Sequence, residues 1–506
     1  MNLILALDIG TTGTKAALVQ RDGQLLATGY ADYPIYHREG NVVEQEPEDW
    51  WRATGMALGQ LWQAAPPGAA QQVAAVSLSG QMQDLILLGA DGVLGRAILY
   101  SDCRAQDEAA FVTQTIGRET LESITGNEQG ASSLLAKWLW LQKHAPDQLK
   151  ACRKILVGAH DYVGWRLHGA VGADYTTAAT TGLLDLAQNQ WSFDLLTRLG
   201  LDADKLPGLQ AATSLVGEVT ATAAAATGIP AGTPVLRGAG DLAATTIGVG
   251  AGEPGRLYGY LGTSGWIASS LHQATPNPQS GVFTLRHPDA QRYIQVAPML
   301  TAGGNLDWFR TQVVSNQLPV IADENVGRYQ WINEQVATVP AGCGGLIYLP
   351  YLAGERSPFS DPQARGAFIG LSATSTQAHM ARAVMEGVAL AYRSLGEVLN
   401  LTPRGPLYLV GGGAKSPIWP QILADVFGCE VQVVAAPGDA AARGAAILAG
   451  LALGWYQNYA PATDFFPVVR SYTPENRHSQ LYTRLYALFR TLYPHLREAF
   501  AELAQI

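Results

Sequence analysis

At 506 residues and 48% apolar composition the chain can bury large cores, and its length suits about two to four domains, with two large lobes fitting best. A formal charge of −9 with no Lys/Arg-rich run excludes a nucleic-acid footprint and points to a small-molecule partner. Cys103, Cys152, Cys343 and Cys429 show neither C-x-x-C nor Cys/His ligand spacing, which excludes a disulfide scaffold and a zinc site and leaves core thiols in a reducing cytosol.

The first element is a strand, the apolar run from Leu3 to Leu7, which ends in Asp8 and a Gly/Thr turn. The run has no basic flank, and Asp8 closes it too early for a signal peptide or a membrane span, so cytoplasmic residence with no membrane partner is expected. A second strand follows at Ala16–Val19, and Asp22–Gly23 marks a hairpin leading to a third from Gln24 to Gly29. The turn from Gly10 to Gly13 is therefore the tip of a β-hairpin. Its N–H groups and the Thr11, Thr12 and Thr14 hydroxyls can donate to phosphate oxygens, while Asp8 can hold a hydrated divalent cation. The other reading is an ordinary Gly-rich turn with a capping acid.

Helices are predicted at Pro47–Ala64, Arg104–Thr115, Ser132–His144, His160–Leu167 and Thr220–Thr227, with strands at Gln72–Ser79, Leu85–Leu88 and Ala97–Tyr100. From Pro234 the opening pattern recurs. A strand runs to Asp241, and Gly255–Ala268 repeats strand, Gly/Thr turn and strand, with Gly262, Thr263 and Ser264 in the turn; a duplicated lobe explains the likeness. A third strand, Pro406–Val410, ends in Gly411, Gly412 and Gly413 and gives way to a helix through Val426. The helix Ala440–Leu453 carries an Ala/Gly face that allows very close packing, and Pro474–Ile506 reads as one amphipathic helix interrupted at Pro494.

Three glycine clusters invite phosphate readings, and none fits the common templates. In Gly411–Ser416, Ala414 and Leu409 stand where a P-loop needs glycine. Gly238–Ala243 satisfies G-x-G-x-x-A after a strand, but Asp241 would set a carboxylate against a dinucleotide pyrophosphate. An acid at a strand end facing phosphate-binding turns is what phosphoryl transfer to an alcohol requires, as the base that accepts the hydroxyl proton, and Asp241 is the candidate.

In order and spacing, Asp8–Lys15 (DIGTTGTK), Val43–Trp51 (VEQEPEDWW), Ser79–Met82 (SGQM), Asp102–Arg104 (DCR), Gly240–Asp241, Gly262–Ser264 (GTS) and Gly411–Ser416 (GGGAKS) resemble the FGGY carbohydrate kinases, in particular their xylulokinase-like branch, nearly end to end. The resemblance implies an α/β, two-lobed actin-like ATPase fold of duplicated ribonuclease-H-like domains with an interlobe cleft. Residues 1–237 would form a sugar-binding lobe, 238–455 an ATP-binding lobe, and 456–506 a helical tail packing back on both. It further implies ATP and Mg²⁺, with Asp8 and Asp241 facing the transferring group and its metal through water. ATP contacts would come from Thr11, Thr12, Gly13, Lys15, Gly262, Thr263, Ser264, Gly303, Gly411, Gly412, Gly413 and Lys415, and sugar contacts from Gln81, Met82, Gln83, Asp102, Arg104 and Asp241. A homodimer is common in the family.

The departures bear on the substrate. Where such kinases read Gly-Gln-Met-His-Gly, this chain has Gln83 and Asp84 in the last two places, and Ser101 and Cys103 flank Asp102. Asp102 and Arg104 can read hydroxyls or form a structural loop pair. Asp439 stands where the family has Glu, His160–Tyr162 is expected to be scaffold, and Glu355–Asp361 a loop shaping the domain interface. The activity implied is ATP-dependent phosphorylation of a ketopentose such as D-xylulose. The alternatives are a kinase for ribulose, another polyol or a sugar acid, and a chaperone-like ATPase of the same fold.

Overall fold

The computed structural model describes residues 2–39, 41–314, 324–400, 405–435, 437–465 and 467–505, so Met1 and Ile506 lie outside the described residues. The first half contains β1 (Leu3–Ile9), β2 (Gly13–Gln20), β3 (Leu25–Asp32), α1 (Pro47–Ala64), β4 (Val73–Gly80), β5 (Met82–Leu88), α2 (Leu134–His144), β6 (Lys154–Gly158), α3 (Ala159–His168), β7 (Leu215–Glu218), β8 (Pro234–Leu236), β9 (Ala239–Gly240) and α4 (Asp241–Thr246). The second contains β10 (Leu257–Leu261), β11 (Gly265–Leu271), β12 (Phe283–Arg286), β13 (Tyr293–Met299), α5 (Gly303–Trp308), α6 (Glu324–Ala337), β14 (Leu407–Val410), α7 (Trp419–Phe427), β15 (Val431–Val434), α8 (Ala440–Ala452), β16 (Val468–Tyr472) and α9 (Asn476–Leu503).

Each half is organised on a seven-stranded sheet, ordered β7-β8-β4-β1-β2-β3 in the first, with β9 also on β4, and β12-β13-β11-β10-β14-β15-β16 in the second. Antiparallel β3-β2-β1 followed by parallel β4 and β8 is repeated as antiparallel β13-β11-β10 followed by parallel β14 and β15. The duplicated, two-lobed architecture is thereby borne out, and the Gly10–Gly13 and Gly262–Gly265 turns occupy equivalent tips.

A near-continuous apolar run suits β1 because both faces of its sheet are covered. Leu3, Leu5 and Leu7 pack with Trp50, Ala57 and Leu58 of α1, while Ile4 and Ala6, with Ala17 and Val19 of β2, meet Ala442, Ala445, Ala446 and Ala449 of α8. A helix late in the chain thus closes one face of the first sheet. It also crosses the segment beginning at α4, where a Cβ on Gly444 would lie 1.8 Å from the Ala244 carbonyl oxygen and one on Gly248 would lie 1.9 Å from that of Ala440. The Ala/Gly face read in the sequence makes the joint between the halves.

Three expectations are revised. Ala239 and Gly240 pair with Ser79 and Gly80 of β4, so the first sheet extends past the boundary drawn at 237/238. The C-terminal segment is not wholly helical, because Val468–Tyr472 adds β16 to the edge of the second sheet between a short helix, Ala462–Phe465, and α9, which packs through Tyr482, Tyr486, Phe489, Tyr493 and Phe500 on the second-lobe core. That helix runs through Pro494 without a break. Pro494 is exposed, so water can satisfy the carbonyl that loses its partner, while buried Tyr493 and Phe500 anchor both sides. Among the described residues no helix is long and apolar enough to cross a membrane.

His287, fully buried after β12, accepts from Asp289 N at 2.9 Å through Nδ1, and its Nε2 is unpartnered. Burial, helped by the Arg292 charge, pushes its pKa down to about 3, below the ordinary value of 6.5. The unfolded chain therefore binds the extra proton first as pH falls, so this contribution to stability is complete above about pH 6.5 and is lost progressively toward pH 3, on the order of 5 kcal/mol. His287→Gln is expected to flatten that limb of an acid denaturation curve; an unchanged limb would contradict it.

Candidate active site

Strand register assembles the first part of the site. Asp8 stands opposite Lys15 of β2 and Ser79 of β4, so the three share one face at the end of the sheet. Burial pushes the Asp8 carboxyl above its ordinary range, with Ser79, Lys15 and His160 pulling the other way, and Asp8 Oδ1 is buried without a hydrogen-bond partner. On the other side of β4, β9 delivers the chain to Gly240 opposite Gly80, and Asp241 opens α4 immediately afterwards. Burial first, and the Asp8 charge second, push the Asp241 carboxyl up to about 7, against the Leu242 N–H that donates to Oδ1 at 2.7 Å and against His160. Two acids 233 residues apart in sequence are thus brought to one floor, near enough for one to shift the other.

The Gly10–Gly13 turn is fixed by its carbonyls. Tyr33 OH donates to Gly10 O, Gln45 Nε2 to Thr11 O at 2.8 Å, and Tyr33 N and Tyr30 OH to Thr12 O at 3.3 and 3.4 Å. Since a peptide plane points its N–H opposite to its C=O, these anchors turn the N–H groups of Thr11, Thr12 and Gly13 away from them, with Thr12 exposed. Lys15 does not point to solvent. Its ammonium is engaged by the Asp439 carboxylate and donates to Gly438 O at 3.1 Å, so the predicted ATP contact is found in an ion pair with the other half of the chain.

The equivalent turn of the second half opens onto a cavity of about 1200 Å³, lined among others by Gly262, Thr263, Gly303, Gly412, Gly413 and Lys415. Ser264 is exposed beside it, and Gly411, at φ +98°, turns the chain against β10, where a Cβ would sit 2.5 Å from Leu261 O. Gly303 contributes shape and not a donor, because its N–H is spent on Gly262 O at 2.7 Å. The sequence reading missed the outer wall. Asn333 on α6 accepts from Ser416 Oγ at 2.7 Å, and since Ser416 Oγ itself accepts from Ile418 N and Trp419 N, the Asn333 amide nitrogen is left to donate. Arg310 and Asp307 pair on the same wall.

On the floor of the first half, Met82 packs against Gly240, where a Cβ would lie 2.1 Å from its sulfur, so a larger residue there would displace the Met82 side chain. Gln81 is buried, donates to Gln45 Oε1 at 2.8 Å and leaves Oε1 unpartnered, so one amide chain joins this floor to the phosphate-side turn. Gln83 holds φ +65°, a conformation that costs energy outside glycine, and donates to Ser132 O at 3.1 Å. Asp102 does not present a free carboxylate. Its oxygens accept from Val43 N (2.6 Å), Arg104 N (3.0 Å) and the Arg104 guanidinium (2.7–3.0 Å), which fills its acceptor capacity; Arg104 also reaches Glu44 at 2.7 Å. The structural-pair alternative for Asp102 is the one observed.

Two further groups stand behind this floor, with partners the sequence does not show. His160, read as scaffold, donates or accepts at 3.1 Å with Asp174 Oδ2, and its pKa is raised by Asp161 and Asp174 against the cost of burial; it lies behind Asp8, Asp84 and Asp241, close enough to pull the pKa of each down. Asp84 and Lys137 sit on opposite edges of one peptide, Lys137 Nζ donating to Leu99 O at 2.5 Å and Tyr100 N to Asp84 Oδ1 at 3.3 Å. Only packing across α2 and β5 reveals that pairing.

A family model for the N-terminal domain of the FGGY family of carbohydrate kinases matches residues 3–248, and that for its C-terminal domain matches residues 257–453. The chain is 31% identical over 502 residues to the xylulose kinase of Bacillus subtilis (strain 168), with 98% of each covered. The crystal structure of xylulose kinase from Rhodospirillum rubrum matches with a TM-score of 0.91 at 30% identity, over 99% of this chain and 100% of that one. The gluconate kinase structure from Lactobacillus acidophilus matches at 0.90 and 28%, over 99% of each.

Proposed function

The chain belongs to the FGGY family of carbohydrate kinases, and from that membership we propose that it transfers the γ-phosphoryl group of ATP to a hydroxyl of a small sugar, a ketopentose such as D-xylulose first. The observation that carries the chemistry is the convergence of Asp8 and Asp241, from opposite sides of β4, below the Gly10–Gly13 turn. Asp241, with its pKa near neutrality, accepts the hydroxyl proton as that oxygen attacks the γ-phosphorus and the bond to ADP breaks. The N–H groups of the two equivalent turns flank the phosphates, the base and ribose lie in the second-lobe cavity, and the sugar lies over Gln81, Met82 and Gln83.

Mg²⁺ fits the donors available: Asp8 Oδ1 is buried and unpartnered beside Asp241, and two carboxylates acting through water, with the phosphates, suit an ion that keeps its hydration. When bound, it supplies neutralisation of the triphosphate charge. A sugar acid is the second reading, favoured by the gluconate kinase likeness. Against it, the Arg104 guanidinium that could receive a carboxylate is already paired with Asp102 and Glu44.

ADP release with MgATP, followed across ketopentoses, aldoses, polyols and sugar acids at equal concentration, tests the reading. D-Xylulose is expected to give the largest stimulation over a low sugar-free ATPase rate. No stimulation by any member would overturn it, and stimulation by gluconate alone would transfer the substrate to the sugar acids.

A further inference from the structure

Lys15 and Asp439 are 424 positions apart, on different halves of the chain, and meet in an ion pair whose side chains are 24% and 16% exposed. Lys15 stands directly across from Asp8 on the sheet face that α8 covers, and Asp439 is the residue from which α8 starts. An acid at that helix end is favoured by the backbone dipole, yet Asp439 makes no capping hydrogen bond of its own, so its carboxylate is free to hold the ammonium. A lysine ammonium has three N–H bonds. Asp439 and the Gly438 carbonyl take two, which leaves one, and the ammonium they hold stays close enough to Asp8, its cross-strand neighbour, for its charge to pull the Asp8 pKa down.

We propose that Asp439 is a positioning residue for phosphoryl transfer, which aims the Lys15 ammonium from the second lobe at ATP phosphates gathered by the first-lobe turn. The inference rests on the kinase reading. Asp439 itself touches no substrate. Because the pair is made across the lobes, Lys15 is aimed only when α8 is seated on the first sheet, so nucleotide affinity is tied to that seating. Losing the acid leaves a lysine whose four-carbon stem is no longer directed, and weaker phosphate binding follows.

The test compares the wild-type protein with Asp439→Asn, Asp439→Glu, Lys15→Met and the Lys15→Met/Asp439→Asn double variant. KM for MgATP at saturating D-xylulose is expected to rise about tenfold in Asp439→Asn, with the sugar KM and the melting temperature within error of wild type, and to recover in Asp439→Glu. In the Lys15→Met background Asp439→Asn is expected to change little, since its effect passes through the lysine. Calorimetric titration with MgADP gives the same comparison without any sugar, so failure of the substrate assignment is separated from failure of this inference. An unchanged MgADP affinity in Asp439→Asn, or an equal loss with and without Lys15, would overturn it.

Discussion

Asp241→Asn is expected to lower kcat for sugar phosphorylation by about 10²–10⁴-fold, the range a positioned general base supplies. Asparagine keeps the shape and the contact with the Leu242 N–H, but it cannot take up the hydroxyl proton. The same change removes one of two carboxylates that burial holds above their ordinary range, the one that the Asp8 charge raises further. The variant is therefore expected to melt no lower than wild type, and Asp241→Ala likewise to lose transfer while keeping the fold. A site that loses activity while gaining or keeping stability is the mark of a group retained for chemistry. Near-normal turnover in Asp241→Asn would remove the base assignment, and a large fall in melting temperature would show that the residue is structural.

The parts of this site that could be read from the sequence are those in which one local segment holds the whole signal. The strand, acid and Gly/Thr turn of Leu3–Gly13 is such a segment, and the repeat of its turn at Gly262–Gly265 foretold a second sheet of the same order. What could not be read depends on registers between distant strands or on helices meeting across lobes. Nothing near Lys15 in sequence announces Asp439, and Asp102 looks like a sugar ligand until Val43 N and Arg104 are seen to occupy its oxygens. His160 is the buried, hydrogen-bonded scaffold group expected, but its surroundings are hidden for the same reason. Its neighbour Asp161 is visible in the sequence, but the Asp174 that holds it and the three cleft acids it faces are not. Pro494 shows the opposite failure, a strong local rule overridden because the anchoring residues Tyr493 and Phe500 are set by tertiary packing.

Gly444→Val is expected to destabilise the protein by on the order of 3 kcal/mol or more, whereas Gly59→Ala, also at a helical glycine, is expected to stabilise it by about 0.5–1 kcal/mol. The sign follows from what a Cβ meets. At Gly59, exposed on α1, it meets nothing within 4 Å, so the gain is the backbone freedom removed from the unfolded chain. At Gly444 it meets the Ala244 carbonyl oxygen at 1.8 Å, and backbone cannot yield as a flexible side chain does. α8 must then lift from the α4 segment, which strains the opposite crossing at Gly248 and the Ala442–Ala449 face lying on β1 and β2. The cost therefore falls on the joint that places Asp241, at the start of α4, and Asp439, at the start of α8, relative to Asp8. Scanning calorimetry should show Gly444→Val melting well below wild type, and any folded fraction should have a raised KM for MgATP. Equal melting temperatures for Gly444→Val and wild type would mean that the two helices do not form a close-packed joint.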